Sequence, residues 1–394
     1  MMRAGRAAVL GTAAVILLTA CGGAAVSGSR GSGQESVSLP QVASSPREQT
    51  ISAVEDPGRD GLPTPFVNPA EIISGGPPPD GIPAVDHPRF QRASTVTWVH
   101  DREPVLALTV GSESRAYPIQ VLIWHEIVND TVGGVPIAVT YCPLCDSGIG
   151  FDRRLQQRVL DFGTSGRLYR SDLVMYDRQT RSLWSQFIGT AVAGVLTGQQ
   201  LRTLPVSVVA WSDWRSAHPT SWVLSRDTGV SRNYGSNPYV GYDDINSRPF
   251  LFRGAYDGRY PPKTRLVGIR RGTDSVAILL DALHRQHVIA TNIAGAAVVA
   301  WEKDGTSSAL DSAVISEGKN VGATGVFDPI VDGRTLHFHP AGDGFTDAET
   351  GSAWTVLGQA TSGPLAGRSL RAIEYVSTFW FVWGTFLPTT RVVA

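Results

Sequence analysis

The sequence predicts a strand-rich α+β fold, built as two tandem copies of one unit packed side by side. Three observations lead there. The chain is similar to itself in one collinear register; its apolar runs are short, rich in β-branched residues and separated by Gly, Asp and Ser turns; and each unit holds only two helical stretches.

The self-similarity comes first because it defines the building unit. Val105–Glu113 aligns with Leu266–Asp274, and Gly134 falls on Gly295 at the same offset. Phe151, Asp152, Arg158, Leu160 and Phe162 align with Phe327, Asp328, Arg334, Leu336 and Phe338. Asp177, Thr180, Ser182 and Trp184 then align with Asp347, Thr350, Ser352 and Trp354. The register runs on through Gly189–Leu201 onto Gly358–Leu370, and ends with Trp211, Trp214 and Pro219 on Trp380, Trp383 and Pro388. Tryptophans, glycines and prolines paired in one order over this length mark a duplication.

Within the first unit, Val105–Val110 and Ile137–Tyr141 have the β-branched content of strands. Tyr117–Asn129 reads as a buried helix with Pro118 early in its first turn. Phe151–Leu204 breaks into short apolar runs that suggest hairpins or a meander, and a Trp-rich helix near Trp211–Ala217 closes the unit. At 394 residues and 42% hydrophobic, the chain can bury a core in each of two domains, 66–245 and 246–394.

The N-terminus has a different character. Arg3 and Arg6 precede an apolar run, Ala7–Leu18, that is too short to span a bilayer and ends in Leu18-Thr19-Ala20-Cys21. This pattern predicts a lipoprotein signal peptide over residues 1–20 and lipidation of Cys21, which places the mature protein outside the cytoplasm, tethered to the bacterial membrane. Residues 21–65 are rich in Gly, Ser, Pro and Gln and are expected to form a flexible tether. Lys plus Arg (34) nearly balances Asp plus Glu (35), so the chain has no basic footprint for nucleic acid. The sequence names no protein partner or small ligand.

A duplication also separates function from fold: residues kept in both copies serve the unit, and reactive residues in one copy are candidates for chemistry. Cys142 and Cys145 head the second group, in Tyr141-Cys-Pro-Leu-Cys-Asp146 at the end of a predicted strand, with no cysteine at the matching place near Lys303–Thr306. Two intervening residues let both sulfurs point one way, as a soft-metal clamp, an exchangeable dithiol or a static disulfide, the last closing too short a loop to stabilise much. His125 lies on the predicted helix leading to that strand and aligns with Gln286. Met175, the only methionine beyond the signal, aligns with Phe345 and reads as core filler or as a thioether ligand. The connector holding Tyr234, Asn237, Tyr239, Tyr242, Asp243 and Asp244 has no counterpart in the second copy; it reads as a recognition loop or as packing between the units. His337 and His339 share a strand face in the degenerate copy, a weak metal signal.

The segments WHEIVNDTVGG, TYCPLCDSG, SDLVMYDR, NPYVGYDD and ISGGPPPDGIP together resemble the bacterial domain of unknown function 3179 family, from about Phe66 to the C-terminus. The resemblance implies no activity. It singles out His125, Cys142 and Cys145, and this chain has Asp146 where the family pattern usually has Asn or Gly.

These features leave three functional readings. The first is a soft-metal site, copper ahead of zinc, using Cys142, Cys145, His125 and Met175. The second is thiol-disulfide exchange by Cys142 and Cys145, and the third a non-catalytic envelope binding or scaffold module. The anchor is testable directly: wild-type protein is expected to partition with membranes and take up lipid label, and Cys21→Ala to lose both. Unchanged labelling of that variant would refute the anchor.

Overall fold

The β-branched run beginning at Val105 forms a strand, β1 (Pro104–Val110), which turns through Gly111 at a positive φ of 60° into β2 (Glu113–Pro118). Pro118 cannot extend the ladder as a donor and caps helix α1 (Ile119–His125), which Glu126, at φ 60°, ends after two turns. A hairpin comes next, β3 (Ile127–Val132) and β4 (Val135–Cys142), closed by Gly133 and Gly134, both at positive φ. A side chain at 133 would meet the Val110 carbonyl at 2.5 Å, so only glycine fits there. The first half continues with β5 (Ser147–Asp152), β6 (Phe162–Tyr169), β7 (Asp172–Asp177), β8 (Leu183–Ser185), β9 (Ala191–Ala193), β10 (Arg202–Leu204), β11 (Val206–Ala210), α2 (Trp211–Ala217) and β12 (Trp222–Leu224).

The computed structural model describes residues 35–394, which form one compact unit. Three sheets organise the first half and contain the strand orders β11-β1-β2-β12, β10-β5-β4-β3 and β9-β8-β7-β6; Arg89–Arg92 and then Val37–Ser38 extend the first beyond β12, and Ile72–Ser74 extends the third beyond β6. All their pairings are antiparallel except β2 with β12. The second half comprises β13 (Arg265–Arg271), β14 (Asp274–Leu279), α3 (Leu280–Gln286), β15 (Val288–Ile293), β16 (Ala296–Lys303), β17 (Ala323–Asp328), β18 (Phe338–Ala341), β19 (Gly344–Asp347), β20 (Ala353–Trp354), β21 (Ala360–Ser362), β22 (Arg371–Ala372), β23 (Val376–Phe379), α4 (Trp380–Phe386) and β24 (Arg391–Val393). Its sheets run β23-β13-β14-β24, β22-β17-β16-β15 and β21-β20-β19-β18, the same orders as in the first half, and the parallel pair is again the second strand with the last, β14 with β24.

The aligned polar residues form the same local motif in each half. The Asp177 carboxylate accepts from Thr180 N (2.6 Å) and Trp184 Nε1 (2.9 Å), and Ser182 Oγ accepts from Leu196 N (3.1 Å). In the second half Asp347 accepts from Thr350 N (2.6 Å) and Trp354 Nε1 (2.9 Å), and Ser352 Oγ from Leu365 N (3.0 Å). Each motif closes a hairpin and seats one buried tryptophan; Trp211, Trp214, Trp380 and Trp383 fill the cores under the closing helices.

Two expectations are corrected. The helix predicted over Tyr117–Asn129 is only Ile119–His125: the β-branched Ile127 and Val128 continue as a strand, and the left-handed Glu126 makes the break. The flexible tether predicted for 21–65 does not describe residues 35–65, because that backbone hydrogen-bonds to a strand edge and to turns of distant segments. Val37 pairs with Phe90, Ser45 N donates to Val159 O (2.9 Å), Glu48 N to Gln179 O (2.7 Å) and Ala53 N to Arg181 O (3.2 Å), and Ala53 and Val54 are buried. The predicted signal and Cys21 lie outside the described residues.

The first half is tied by a buried ion pair. Arg115 donates to both oxygens of Asp130 (2.6 and 2.7 Å), which also accepts from Tyr117 Oη (2.6 Å). Asp130→Ala leaves the buried guanidinium with only Glu113, and is expected to cost about 3 kcal/mol in urea denaturation. The paired replacement Arg115→Met/Asp130→Leu should recover most of that loss; equal losses in the two variants would show that the pair does not couple.

Candidate functional site

Cys142 ends β4 and Ser147 opens β5, so residues 143–146 are the turn of a hairpin. Cys145 N donates to Cys142 O (3.2 Å), and Asp146 takes a left-handed φ of 51°. That φ is best tolerated by Gly, Asn and Asp, which gives a physical reason for the residue types expected there. Both sulfurs face inward: the two cysteines are buried and unbridged, with Sγ atoms 3.0 Å apart.

The second half holds this turn in place. Cys145 O accepts from Phe379 N (3.2 Å) and Thr378 Oγ1 (2.8 Å) of β23. The Asp146 carboxylate accepts from Tyr141 Oη (2.9 Å) and pairs with Arg265, which also donates to Asp243 (2.9 Å). Burial pushes the Arg265 guanidinium down to about 10, so it stays cationic at neutral pH.

A third donor comes from β7. Asp172 Oδ1 lies 3.6 Å from Cys145 Sγ, and its other oxygen accepts from Ser185 Oγ (2.6 Å) and Phe187 N (3.2 Å). Burial pushes the carboxyl up to about 7, against the pull of those hydrogen bonds. Burial, with Cys142 and Asp172 beside it, raises the Cys145 thiol well above its ordinary value. Donor atoms of Cys142, Cys145 and Asp172 all lie within 4.8 Å of one another. Next to the turn is a cavity of about 300 Å³, lined among others by Glu126, Leu144, Leu173, Tyr239, Tyr242 and Phe250. The Glu126 carboxyl meets no hydrogen-bonding partner among the described residues, and burial, with Asp172 nearby, pushes it up to about 8.

The structure separates the other candidates from the sulfurs. His125 is buried with both ring nitrogens engaged, Nδ1 with Pro83 O and Nε2 with Tyr234 Oη, each at 2.7 Å, so it has no lone pair free for a metal held by the cysteines. Met175 is a packing residue: the register Val174↔Ser185 and Met175↔Trp184 puts it on the face of β7 opposite to the one that Asp172 shares with Ser185. The expected recognition loop is mostly tied inward. Tyr234 holds His125 and Thr228, Asn237 donates to Ser312 O (3.0 Å), Asp243 meets Arg265, Ser308 and Lys319, and Asp244 caps Asn246 N (2.9 Å). Only Tyr239 and Tyr242 of this group line the cavity. His337 pairs with Glu349 at the exposed surface.

Asp172 and Glu126 are not among the residues the sequence singles out, although neither is matched by an acid at the aligned position in the second half. Carrying the Asp177-to-Asp347 offset back puts Gly342 at the place of Asp172. Carrying back the offset that aligns the two hairpins puts His287 at Glu126, and the backbone agrees: both residues cap a seven-residue helix with positive φ, and Tyr141 N donates to Glu126 O as Glu302 N does to His287 O.

Glu126 gives a pH test. Its folded pKa of about 8 lies above the unfolded 4.5, so between these values the native state binds a proton that the unfolded chain has lost. This group's contribution is therefore present at low pH and lost as pH rises to about 8, at about 1.4 kcal/mol per unit. Glu126→Gln removes that slope, so the stability gap between variant and wild type in urea should move in the variant's favour from pH 5 to pH 8. A constant gap would show that Glu126 is ionised in the fold.

No curated protein and no solved structure matches the chain. Residues 79–390, well over half of its length, match the family model described as a protein of unknown function, DUF3179, and the chain belongs to that family.

Proposed function

We propose that this is a membrane-anchored extracytoplasmic lipoprotein, two tandem copies of one unit, whose first copy holds a soft metal ion between Cys142, Cys145 and Asp172. The observation that carries the metal reading is the convergence of two thiols and a carboxyl, all buried, from a hairpin turn and a separate strand. The matched strand orders and the repeated Asp-Thr-Ser-Trp motif support the duplication. The anchor rests on the sequence of residues 1–21; no helix among the described residues is long and apolar enough to cross a membrane.

The donor set changes the preferred ion. A histidine and a thioether beside the thiols would favour copper, and neither belongs to this cluster. Two thiolates with one carboxylate oxygen suit zinc, with one coordination position left open, and copper(I) would rely on the thiolates alone. The raised thiol favours the protonated form without metal, so ligation releases protons and affinity should rise with pH.

Dithiol exchange is the second reading, and Asp172 favours it: a carboxyl near 7 beside Cys145 is placed to take that thiol's proton. Against it stands the burial of both sulfurs, which leaves a protein disulfide no approach without opening the turn.

Cobalt(II) as a spectroscopic stand-in for zinc separates the readings. The reduced full-length protein should show an intense sulfur-to-cobalt charge-transfer band at one equivalent, lost in Cys142→Ser and in Cys145→Ser, with at least tenfold weaker binding in Asp172→Asn. Absence of that band, together with reversible closure of a Cys142–Cys145 disulfide at a defined potential, would replace metal binding by exchange.

A further inference from the structure

The second half carries a different cluster, two residues of which flank the end of α3 and two the end of β16. His284 is in the last turn of α3 and His287 caps it three residues on, so both imidazoles lie on one side, ring centroids 6.1 Å apart. Glu302 and Asp304 are two residues apart where β16 ends, and Glu302 N donates to His287 O (2.9 Å), which brings the strand end beside the helix cap.

Donor atoms of His284, Glu302 and Asp304 all lie within 4.8 Å of one another, and His287 meets the same Glu302 carboxylate. Glu302 Oε2 lies 3.3 Å from His287 Nδ1 and 3.6 Å from His284 Nδ1, and Asp304 Oδ1 is also 3.6 Å from His284 Nδ1. Four ligands around a tetrahedral ion with bonds of about 2.1 Å are about 3.4 Å apart. Glu302 is 1% exposed, and both its carboxylate oxygens are buried without a hydrogen bond. A side chain at Gly322 would collide with that carboxylate, so the glycine keeps its place open. A buried carboxylate that accepts no hydrogen bond and meets two imidazoles only at 3.3 and 3.6 Å is only partly compensated by the protein, and a cation between them would supply the missing charge. Asn320 Nδ2 donates to Asp304 and would orient it as a ligand. His284 also lines an open cleft of about 540 Å³, giving an ion a route in.

We propose that His284, His287, Glu302 and Asp304 form a second, separate binding site for a divalent transition ion of the zinc class. The aligned positions in the first half are Ile123, Glu126, Tyr141 and Pro143, which lack any imidazole, so this set is confined to the copy without thiols. Ligation by two imidazoles and two carboxylates is harder than the thiolate cluster and selects zinc, nickel or copper(II) over copper(I).

The inference does not depend on the cysteine site, and cobalt(II) reads the two apart. In full-length Cys142→Ser/Cys145→Ser protein, one equivalent should give d–d bands of nitrogen and oxygen ligation with no sulfur charge-transfer band. In unaltered protein the same bands should appear without adding to any sulfur band, which covers the case that the serine variant fails to fold. His284→Ala/His287→Ala, changed where the side chains are partly exposed, should keep its circular dichroism and weaken zinc binding at this site at least 100-fold in calorimetry, and Glu302→Gln at least tenfold. Absence of these d–d bands from the unaltered protein, or zinc affinity unchanged in the double-histidine variant, overturns the proposal.

Discussion

Arg265 is the point where the first half, the connector and the second half meet. Its guanidinium pairs with Asp146 in the cysteine turn and with Asp243 in the connector, and donates to Ser308 (3.0 Å) in the second half. One cation thus balances two largely buried carboxylates from different segments. Such a group is specific because each partner would be left with an uncompensated charge if the others moved away. Lys319 shares the load at Asp243 (2.9 Å), and the β13 strand that carries Arg265 pairs with β23, which holds the Cys145 carbonyl. The cysteine turn is therefore fixed from both sides by residues far away in sequence.

This anchoring explains how protonatable groups are kept so close together. Burial pushes Cys145, Asp172 and Glu126 toward the neutral form; Cys142 and Asp172 add to this at Cys145, and Asp172 adds to it at Glu126, while hydrogen bonds oppose it at Asp172. A loose turn would relieve that crowding by exposing one of them. Held rigid, the group has two other ways to lower its energy: keep its protons, or exchange them for a cation. Metal binding and dithiol chemistry both start from that condition, and for this reason geometry narrows the choice without the sulfurs having to move.

The sequence made the frame legible where a residue type has one structural use. The paired tryptophans, the Asp-Thr-Ser-Trp segments and the glycine turns each lie in matching elements, and Trp211–Ala217 is the helix its pattern predicts. The thiols were legible for the same reason. The groups that accompany the thiols were not, because helical proximity in sequence does not set side-chain direction: Glu126 turns the chain at the end of α1, so His125 points to Pro83 and Tyr234 while the next residue reaches the cavity. Residues 35–65 mislead for another reason. Their composition offers little apolar surface, yet their backbone groups bond to a strand edge and to turns of distant segments, and backbone pairing leaves no mark in composition.

The two halves share strand order while their reactive residues differ, and that difference is itself structured. Both carry reactive groups at the same joint, where a short helix is capped by a left-handed residue and the paired strand ends beside it. At this joint in the first half stand Glu126 and Cys142, with Asp172 of β7 beside Cys145; in the second stand His284, His287, Glu302 and Asp304. The joint suits such groups because a left-handed cap stops the helix abruptly and leaves side chains from helix and strand converging without a regular ladder between them. The strand ends also lead into different connections: a four-residue turn after Cys142, and a longer excursion through Ala309 and Ile315 after Lys303 before β17 resumes pairing. The short turn buries its donors under β23, and beside the long one His284 lines the cleft and Asp304 is exposed. Loop length thus sets how far the groups at this position are buried, and residue type sets their chemistry: thiols in one half, imidazoles and carboxylates in the other.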